Sequence, residues 1–487
     1  MPLEDIRAER LKKLEALKSH GLLPYPPSSS RSFRIGAVVG NFDAYQNSRK
    51  EVIIAGRVMA RRDQGAISFV DVRDESGKIQ VLCKAEKLGE LYQNIAGILD
   101  VGDIIEVTGT AFTTNRGEKS LEAAMVKVLA KSLLPLPDKW HGLVDIEERL
   151  RRRYLDILMD PEERELFYKK SRFWKAIRDF LIREEFLEVE TPILEHTPGG
   201  ADAEPFSTHL NALDIDLYLR ISPELHLKRL LVAGFEKVFE IGRVFRNEGI
   251  DREHLQDYTQ MELYWAYADY EMLMEAIERM VKEIIRATLG TMTTAWENKT
   301  IDWSSEWPRI DYYETFAKYT GINLGAASAA DLKKYAGDAG IDTTKHLGRG
   351  RLIDVIFKKK VRPTLIQPAF LLLPPVEIEP LAKRSEQFPD RVLRFQIVAC
   401  ATELGKGFSE LNDPIDQRDR FKEQLKLREA GDTEAQRMDA DFVEALEYGM
   451  PPSAGFGMSE RFFSILVGRP MRETVFEPLM RDRKSDK

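Results

Sequence analysis

The period of the hydrophobic positions changes several times along the chain. Leu3, Ile6, Leu11, Leu14 and Leu17 recur at helical spacings and predict an amphipathic first helix, closed by His20-Gly21 and Pro24. Pro24-Tyr25-Pro26-Pro27-Ser28-Ser29-Ser30 then reads as a linker, so residues 1–50 are expected to hold one helix and a linker. From residue 51 the period drops to two. Val52 to Val58, Ala66 to Val72, Lys78 to Leu82 and Asp103 to Thr110 are short strands between turn residues, and a fifth runs through Leu121 to Val128. Five strands of that length suit a small all-β barrel of the oligonucleotide-binding type over residues 51–132.

Leu134-Pro135-Leu136-Pro137-Asp138-Lys139 is a proline-stiffened boundary within a linker at 133–164. Asp160 caps a helix that opens with Pro161, and Phe173, Trp174, Ile177, Phe180 and Leu181 form its buried stripe. A strand from Leu187 to Leu194 alternates Leu187 and Val189 with Glu188 and Glu190 before it reaches Pro192. Further on, Val244-Phe245-Arg246-Asn247-Glu248-Gly249 and Tyr258-Thr259-Gln260-Met261-Glu262-Leu263-Tyr264 read as two strands with a polar loop between them. On a period of two, Tyr258, Gln260, Glu262 and Tyr264 share one face, as do Glu240, Gly242, Val244 and Arg246 on the first strand. A glycine, a guanidinium and two carboxylates beside two phenols form a surface for phosphate, an amine and an aromatic base. The alternative from composition alone is an exposed hairpin face with ordinary ion pairs.

At 487 residues the chain has room for two or more domains, each with a full core. Cys83 and Cys400, far apart and without metal-ligand spacing, argue against a disulfide framework and a zinc site. A reducing compartment follows. No apolar run approaches the length that crosses a bilayer, and the charged start from Glu4 to Arg10 is unlike a signal peptide, so a cytoplasmic, soluble protein without membrane contact is expected. The formal net charge of −8 is the wrong sign for an RNA partner, yet residues 1–62 carry 12 Lys and Arg against 6 Asp and Glu. The acidic excess therefore lies further along, and the N-terminal part can face a polyanion.

Phe245-Arg246-Asn247-Glu248-Gly249 with Met261-Glu262-Leu263-Tyr264 resembles motif 2 of the class II aminoacyl-tRNA synthetases. Arg153-Tyr154-Leu155-Asp156, Glu188-Val189-Glu190-Thr191-Pro192, Pro198-Gly199-Gly200-Ala201, Tyr218-Leu219-Arg220, Ser222-Pro223-Glu224-Leu225 and Gly407-Phe408-Ser409-Glu410-Leu411-Asn412-Asp413 stand in the order of bacterial-type lysyl-tRNA synthetases. Neither class I signature occurs. The similarity spans roughly residues 50–480, and it implies a lysine-tRNA ligase that forms lysyl-adenylate from lysine and ATP and transfers lysine to the 3′ end of tRNA(Lys). A protein-modifying lysyl ligase with the same core is one rival, but such relatives are without the barrel expected at 51–132; an RNA-binding or regulatory protein that has lost catalysis is another, motivated by Gln396, Lys406 and a shortened motif 3.

The resemblance implies an α+β catalytic domain over 165–487, an antiparallel sheet flanked by helices with a helical insertion near 290–360, behind the N-terminal barrel. It also implies a homodimer through the motif 1 region around Pro192. The barrel would bind the anticodon by stacking bases on Phe69, with Arg57 on the positive rim; without the resemblance Phe69 reads as barrel core. Met125 stands on the last barrel strand where these synthetases often place a carboxylate.

Activating a carboxylate with ATP requires the negative charge of the α-phosphate and of the attacking carboxylate to be neutralised at one point, a task for a guanidinium. Arg246 matches that role, with Glu248 beside it, His254 implied at phosphate and Tyr258 at the adenine. Arg461 is implied over the adenine, near the γ-phosphate. Gly200, Glu224, Glu262, Tyr264, Lys406, Phe408 and Glu410 match the lysine-binding positions, Glu410 and Tyr264 meeting the ammonium at the far end. Magnesium would bridge the ATP phosphates. Its ligands are Glu403 and Gln396, the latter placed directly across a hairpin from Glu403 by a tight turn at Ala399-Cys400.

Four departures crowd around ATP and the substrate carboxylate. The motif 2 loop continues Leu255-Gln256-Asp257-Tyr258 where Asn-Pro-Glu-Phe is usual, Gln396 replaces a glutamate, and Lys406 replaces an asparagine. Gly455-Phe456-Gly457-Met458-Ser459-Glu460-Arg461 is one residue shorter than the usual motif 3 and is without its third glycine. Such a loss inverts the strand's faces unless a bulge or the helix start absorbs it, and Ser459 is the expected helix cap.

Overall fold

A computed structural model describes residues 2–90, 92, 97–137, 145–249, 254–344, 348–432 and 435–481. They fall into two compact units, divided between Asp145 and Ile146.

In the first unit β1 (Glu51–Gln64), β2 (Ile67–Arg73), β3 (Lys78–Lys84), β4 (Ile104–Thr113) and β5 (Lys119–Ala130) close a barrel in the order β1-β2-β3-β5-β4. Alternation along β2 buries Ser68, Val70 and Val72 and leaves Phe69 and Arg73 half-buried on the other face. The interior is aliphatic, with Val52, Ile54, Val58, Val81, Ile105, Val107 and Leu121 in one cluster. The first helix, Leu3–Ser19, buries Leu14, Leu17 and Arg10, whose guanidinium donates to the carbonyls of Val101, Ser132 and Leu134 at 2.9–3.0 Å. After it the linker is shorter than expected. Helices Ile35–Gly40 and Phe42–Ser48 follow, and bury Ile35, Val38 and Phe42 in the barrel cluster. Six and seven residues are too few for a helical period to stand out in sequence. Of the proline-stiffened boundary, Asp138 and Lys139 lie outside the described residues.

The second unit opens with short helices and then Pro161–Arg183, whose N-cap Asp160 accepts from the Glu162 amide at 2.8 Å. The expected strand from Leu187 to Leu194 is two fragments, β6 (Leu187–Glu188) and β7 (Leu194–Glu195). Pro192 cannot donate to a ladder, and between the fragments Thr191 turns aside to bond Glu240 through its amide and hydroxyl, at 3.0 and 2.7 Å. There follow β8 (Ser207–Leu210), β9 (Ile215–Leu219), β10 (Lys237–Phe245), β11 (Asp257–Ala266), β12 (Thr293–Trp296), β13 (Lys299–Asp302), β14 (Arg309–Asp311), β15 (Ala369–Leu372), β16 (Arg394–Ala399), β17 (Thr402–Ser409) and β18 (Ser453–Ser459).

Eight of these make the main sheet, β14-β15-β16-β17-β18-β11-β10-β6, antiparallel except at its two edges. One face packs Met261, Leu263, Phe395, Ile397, Phe456 and Met458 against helices Pro161–Arg183 and Tyr270–Leu289. The other face carries Gln260, Glu262, Tyr264, Gly455 and Gly457, and so stays open for the site. The segment expected as a helical insertion begins instead with the β12–β13 hairpin and edge strand β14, and only residues 312–361 are mainly helical. Thr293, Thr294 and Trp296 are strand formers, which explains why the helix ends at Gly290, a left-handed cap with φ +72°.

Candidate active site

Hydrogen-bond register aligns one row of residues across the open face: Gln396 on β16 faces Lys406 on β17, Lys406 faces Gly457 on β18, Gly457 faces Glu262 on β11, and Glu262 faces Glu240 on β10. Above this row lies a cavity of about 850 Å³. Its lining includes Gly200, Glu224, Arg246, Glu248, His254, Tyr258, Glu262, Tyr264, Gln396, Glu403, Lys406, Phe408 and Arg461. Elements separated by up to 261 positions in sequence thus meet around one space.

At one end the carboxylates gather. Glu262 Oε1 accepts from Ser222 Oγ at 2.6 Å and from the Gln260 amide, while Tyr264 Oη donates to Glu262 Oε2 at 2.9 Å. Burial and the nearby Glu224 charge still push Glu262 up to about 7. Gly200, at φ +82°, leaves the space occupied by Ser222 and the Glu224 side chain, where a Cβ would collide. Glu410 does not line the cavity. It is 1 % exposed behind Gly455 and Tyr264, and its Oε2 is paired with the ammonium of Lys228. Its Oε1 has no partner and points toward Gly455.

Lys228 itself was not anticipated. It is fully buried, lies 2.6 Å from Glu224 Oε1, and is one helical turn beyond Glu224 in helix Glu224–Val232. The spacing was a signal, but Glu and Lys four apart are ordinary on a solvated helix.

At the other end the cations gather. Arg246 follows β10 directly; its amide donates to the Gln256 carbonyl at 2.7 Å, and its guanidinium lies 5.6 Å from the Tyr258 ring and 3.4 Å from the Ile221 carbonyl. Glu248 accepts through its backbone carbonyl from Gln256 at 3.2 Å, so the Gln256 of the unusual loop braces both sides of the turn. His254 and Tyr258 line the cavity, and residues 250–253 lie outside those described.

The β16–β17 hairpin differs from expectation in register. Its two-residue turn is Cys400-Ala401, both left-handed at φ +54° and +57°, and a bulge follows at Leu404. Glu403 therefore faces Val398, and Gln396 faces Lys406 instead of Glu403. The bulge turns Glu403 to the same face, where its carboxylate accepts from the Gln396 amide. Burial opposes its ionisation, but Arg394, Lys406, Arg461 and Lys358 together hold it below the usual carboxylate range. Lys406 pairs with Glu379 at 2.9 Å, and Arg394 reaches the same carboxylate at 3.2 Å. Glu379, on an irregular segment without motif, was also not anticipated.

Among the described residues no three His, Cys, Asp or Glu side chains converge to hold a metal by themselves. Glu403 and the Gln396 carbonyl oxygen offer hard donors suited to one divalent ion whose other ligands come from phosphate or water.

The shortened motif resolves at its helix end. Strand β18 pairs with β11 without a register shift from Ser453 to Ser459, so no bulge compensates. Gly455, Gly457 and Ser459 share the site face, and helix Arg461–Leu466 begins at once. Ser459 Oγ accepts from the Arg461 amide at 3.3 Å, although the residue flanking the helix is Glu460, buried against Lys170 at 2.5 Å.

In the barrel, Phe69 faces Arg62 across β1–β2, both on the outer face, while Arg57 spends a guanidinium N–H on the Gly102 carbonyl at 2.7 Å. Met125 is 57 % exposed.

Comparison with known proteins agrees with this geometry. Residues 52–129 match the family described as an OB-fold nucleic acid binding domain, and residues 145–480 match tRNA synthetases class II (D, K and N). The chain belongs to the class II tRNA synthetases. Relatives named lysine–tRNA ligase include those of Moorella thermoacetica, 44% identical over 99% of this chain and 98% of its own, and Bacillus subtilis, 42% identical over 99% and 98%. That of Nostoc punctiforme is 41% identical over 100% of this chain and 89% of its own. Class II synthetases use ATP as a substrate.

Proposed function

We propose that this enzyme is a lysine-tRNA ligase, and that the cavity on the open face of the sheet is where lysine and ATP meet. The observation that carries the assignment is the charge polarity of that cavity. Glu224 and Glu262 with Tyr264 stand at one end, with Glu410 buried behind the wall there, and Arg246, Arg394, Lys406 and Arg461 stand at the other. Lysine brings two ammonium groups to the first end and a carboxylate toward the second. An aspartate side chain would meet buried carboxylates, at a cost of several kcal/mol.

In the reaction a lysine carboxylate oxygen attacks the α-phosphorus, the bond from that phosphorus to the bridging oxygen breaks, and pyrophosphate leaves. Arg246 stabilises the charge between carboxylate and α-phosphate, Glu248 and His254 border the nucleotide, Tyr258 and Arg461 sandwich the adenine, and Arg461 balances the outer phosphates. The terminal ribose hydroxyl of tRNA(Lys) then attacks the carbonyl carbon, forming the ester, losing its proton and releasing AMP. No protein nucleophile is needed. Gly200, Lys406 and Phe408 complete the lysine pocket. Glu403 and Gln396 would hold one Mg2+, which when bound neutralises phosphate charge.

The barrel at 51–132 is assigned to the anticodon, with Phe69 as a stacking platform and Arg57 on its rim. A homodimer through the segment around Pro192 is supported by Leu187, Ile193 and Leu194, which are 47 %, 43 % and 48 % exposed. Both cysteines are free and buried, and no described helix is long and apolar enough to cross a membrane, which suits work in the cytoplasm. ATP–pyrophosphate exchange with each amino acid in turn tests the assignment. Lysine alone should support it; exchange driven by aspartate, or none at all, overturns it.

A further inference from the structure

Lys228 has no place in the reaction as written, yet it is a fully buried charge beside the cavity. Its ammonium contacts Glu224 at 2.6 Å and is paired with Glu410, and the rings of Phe408, Tyr264 and Phe442 surround it at 5.4–5.9 Å. Burial works against that charge, but the two carboxylates outweigh it and hold the ammonium above the ordinary lysine range. A lysine in an aromatic box with two acids is already bound like a ligand.

The count of charges explains what it does. Glu224, Glu262 and Glu410 are all buried at this end, and burial raises each of them, most strongly Glu410. The other charged or titratable groups beside the cluster are Tyr264, which bonds Glu262, and the group of Lys406 and Arg394 with Glu379 and Glu403, in which two cations face two carboxylates. Three carboxylates and one internal ammonium leave two negative charges. Substrate lysine carries two ammonium groups, so the occupied pocket closes to neutrality with every carboxylate ionised. Without the internal ammonium, one carboxylate must keep a proton, because three unpaired buried charges are too costly.

We infer that Lys228 is a positioning residue for substrate selection: it occupies one of three buried carboxylate charges and orients Glu224 and Glu410, so that the pocket is matched to two ammonium groups. The inference rests on the lysine-binding reading of this pocket. Its test is infrared difference spectroscopy of the full-length enzyme saturated with lysine, which reads the C=O stretch of a protonated carboxyl, for wild type, Lys228→Met and Lys228→Met/Glu224→Gln. Lysine-bound Lys228→Met should hold one protonated carboxyl that lysine-bound wild type does not. The double variant removes one charge of each sign and should show none. A merely structural role would weaken binding without adding a protonated carboxyl. Absence of that band in lysine-bound Lys228→Met therefore overturns the inference, as does its persistence in the double variant. If Lys228→Met fails to fold, the double variant against wild type carries the same comparison, and a protonated carboxyl in the lysine-bound double variant alone overturns it. Absence of lysine binding by the wild type would instead remove the reading on which the inference rests.

Discussion

Adding a single methyl group at Gly455 should separate lysine recognition from nucleotide binding. Gly455 lies on β18 facing the site, and a Cβ there would come nearer than 3.0 Å to both Glu410 Oε1 and the Tyr264 ring. Tyr264 is 3 % exposed and Glu410 1 %, so neither has room to withdraw. Overpacking of this kind costs about 1–3 kcal/mol. If the cost falls on the lysine-bound arrangement, affinity drops about 5- to 150-fold, since about 1.4 kcal/mol is tenfold. In lysine-dependent ATP–pyrophosphate exchange, Gly455→Ala should raise the lysine KM by that factor while the ATP KM stays within about twofold. Gly457→Ala is the matched control on the same strand and face. Its Cβ would meet Glu262 Cγ at 3.4 Å, an ordinary contact, so folded stability should be unchanged. A folded Gly455→Ala enzyme with wild-type lysine KM would refute the placement of the substrate ammonium against Tyr264, with Glu410 behind it.

Arg246→Ala should lose exchange by a factor of about 100 or more while tRNA still binds in a filter assay, and Arg246→Lys should recover only part of the activity, because an ammonium lacks the planar fork. Glu262, raised by burial and by Glu224 to about 7, keeps its proton in the folded state between about pH 4.5 and 7 where the unfolded chain has lost it. Its contribution to stability therefore declines as pH rises through that window, and Glu262→Gln should flatten the corresponding fall in denaturant midpoint. Gln396→Glu places a second carboxylate beside Glu403 and should lower the Mg2+ concentration for half-maximal exchange; an unchanged requirement would remove Gln396 from the metal site. Phe69→Ala should weaken tRNA binding about 5- to 150-fold, the worth of one stacked base, with lysine exchange untouched.

Much of the site was legible from local pattern. Period two correctly grouped Gln260, Glu262 and Tyr264 on one face, and the observed register places Glu240 opposite Glu262 and Gly242 opposite Gln260. The barrel strands were legible for the same reason, although their ends ran longer. Gly242 shows what the pattern could not disclose: a Cβ there would collide with the Arg220 guanidinium, which is buried against Glu240. The hairpin register at β16–β17 was misjudged because it depends on a turn one residue further along and on a bulge at Leu404, neither of which alternation encodes. Residues 290–311 were taken with the helical insertion because strands of three or four residues offer too few positions to establish a period.

The chain by itself determined the faces of the β11 strand and where Asp160 starts a helix, because periodicity and capping are local properties, while the grouping of Arg246, Glu262 and Glu410 was what the family resemblance implied. Only the tertiary structure decided that Glu410 lies behind the cavity wall, that Lys228 occupies its carboxylate, and that Gln396 meets Lys406 across the sheet. Those relations join residues by through-space charge and by strand register, and neither is written into any single stretch of sequence.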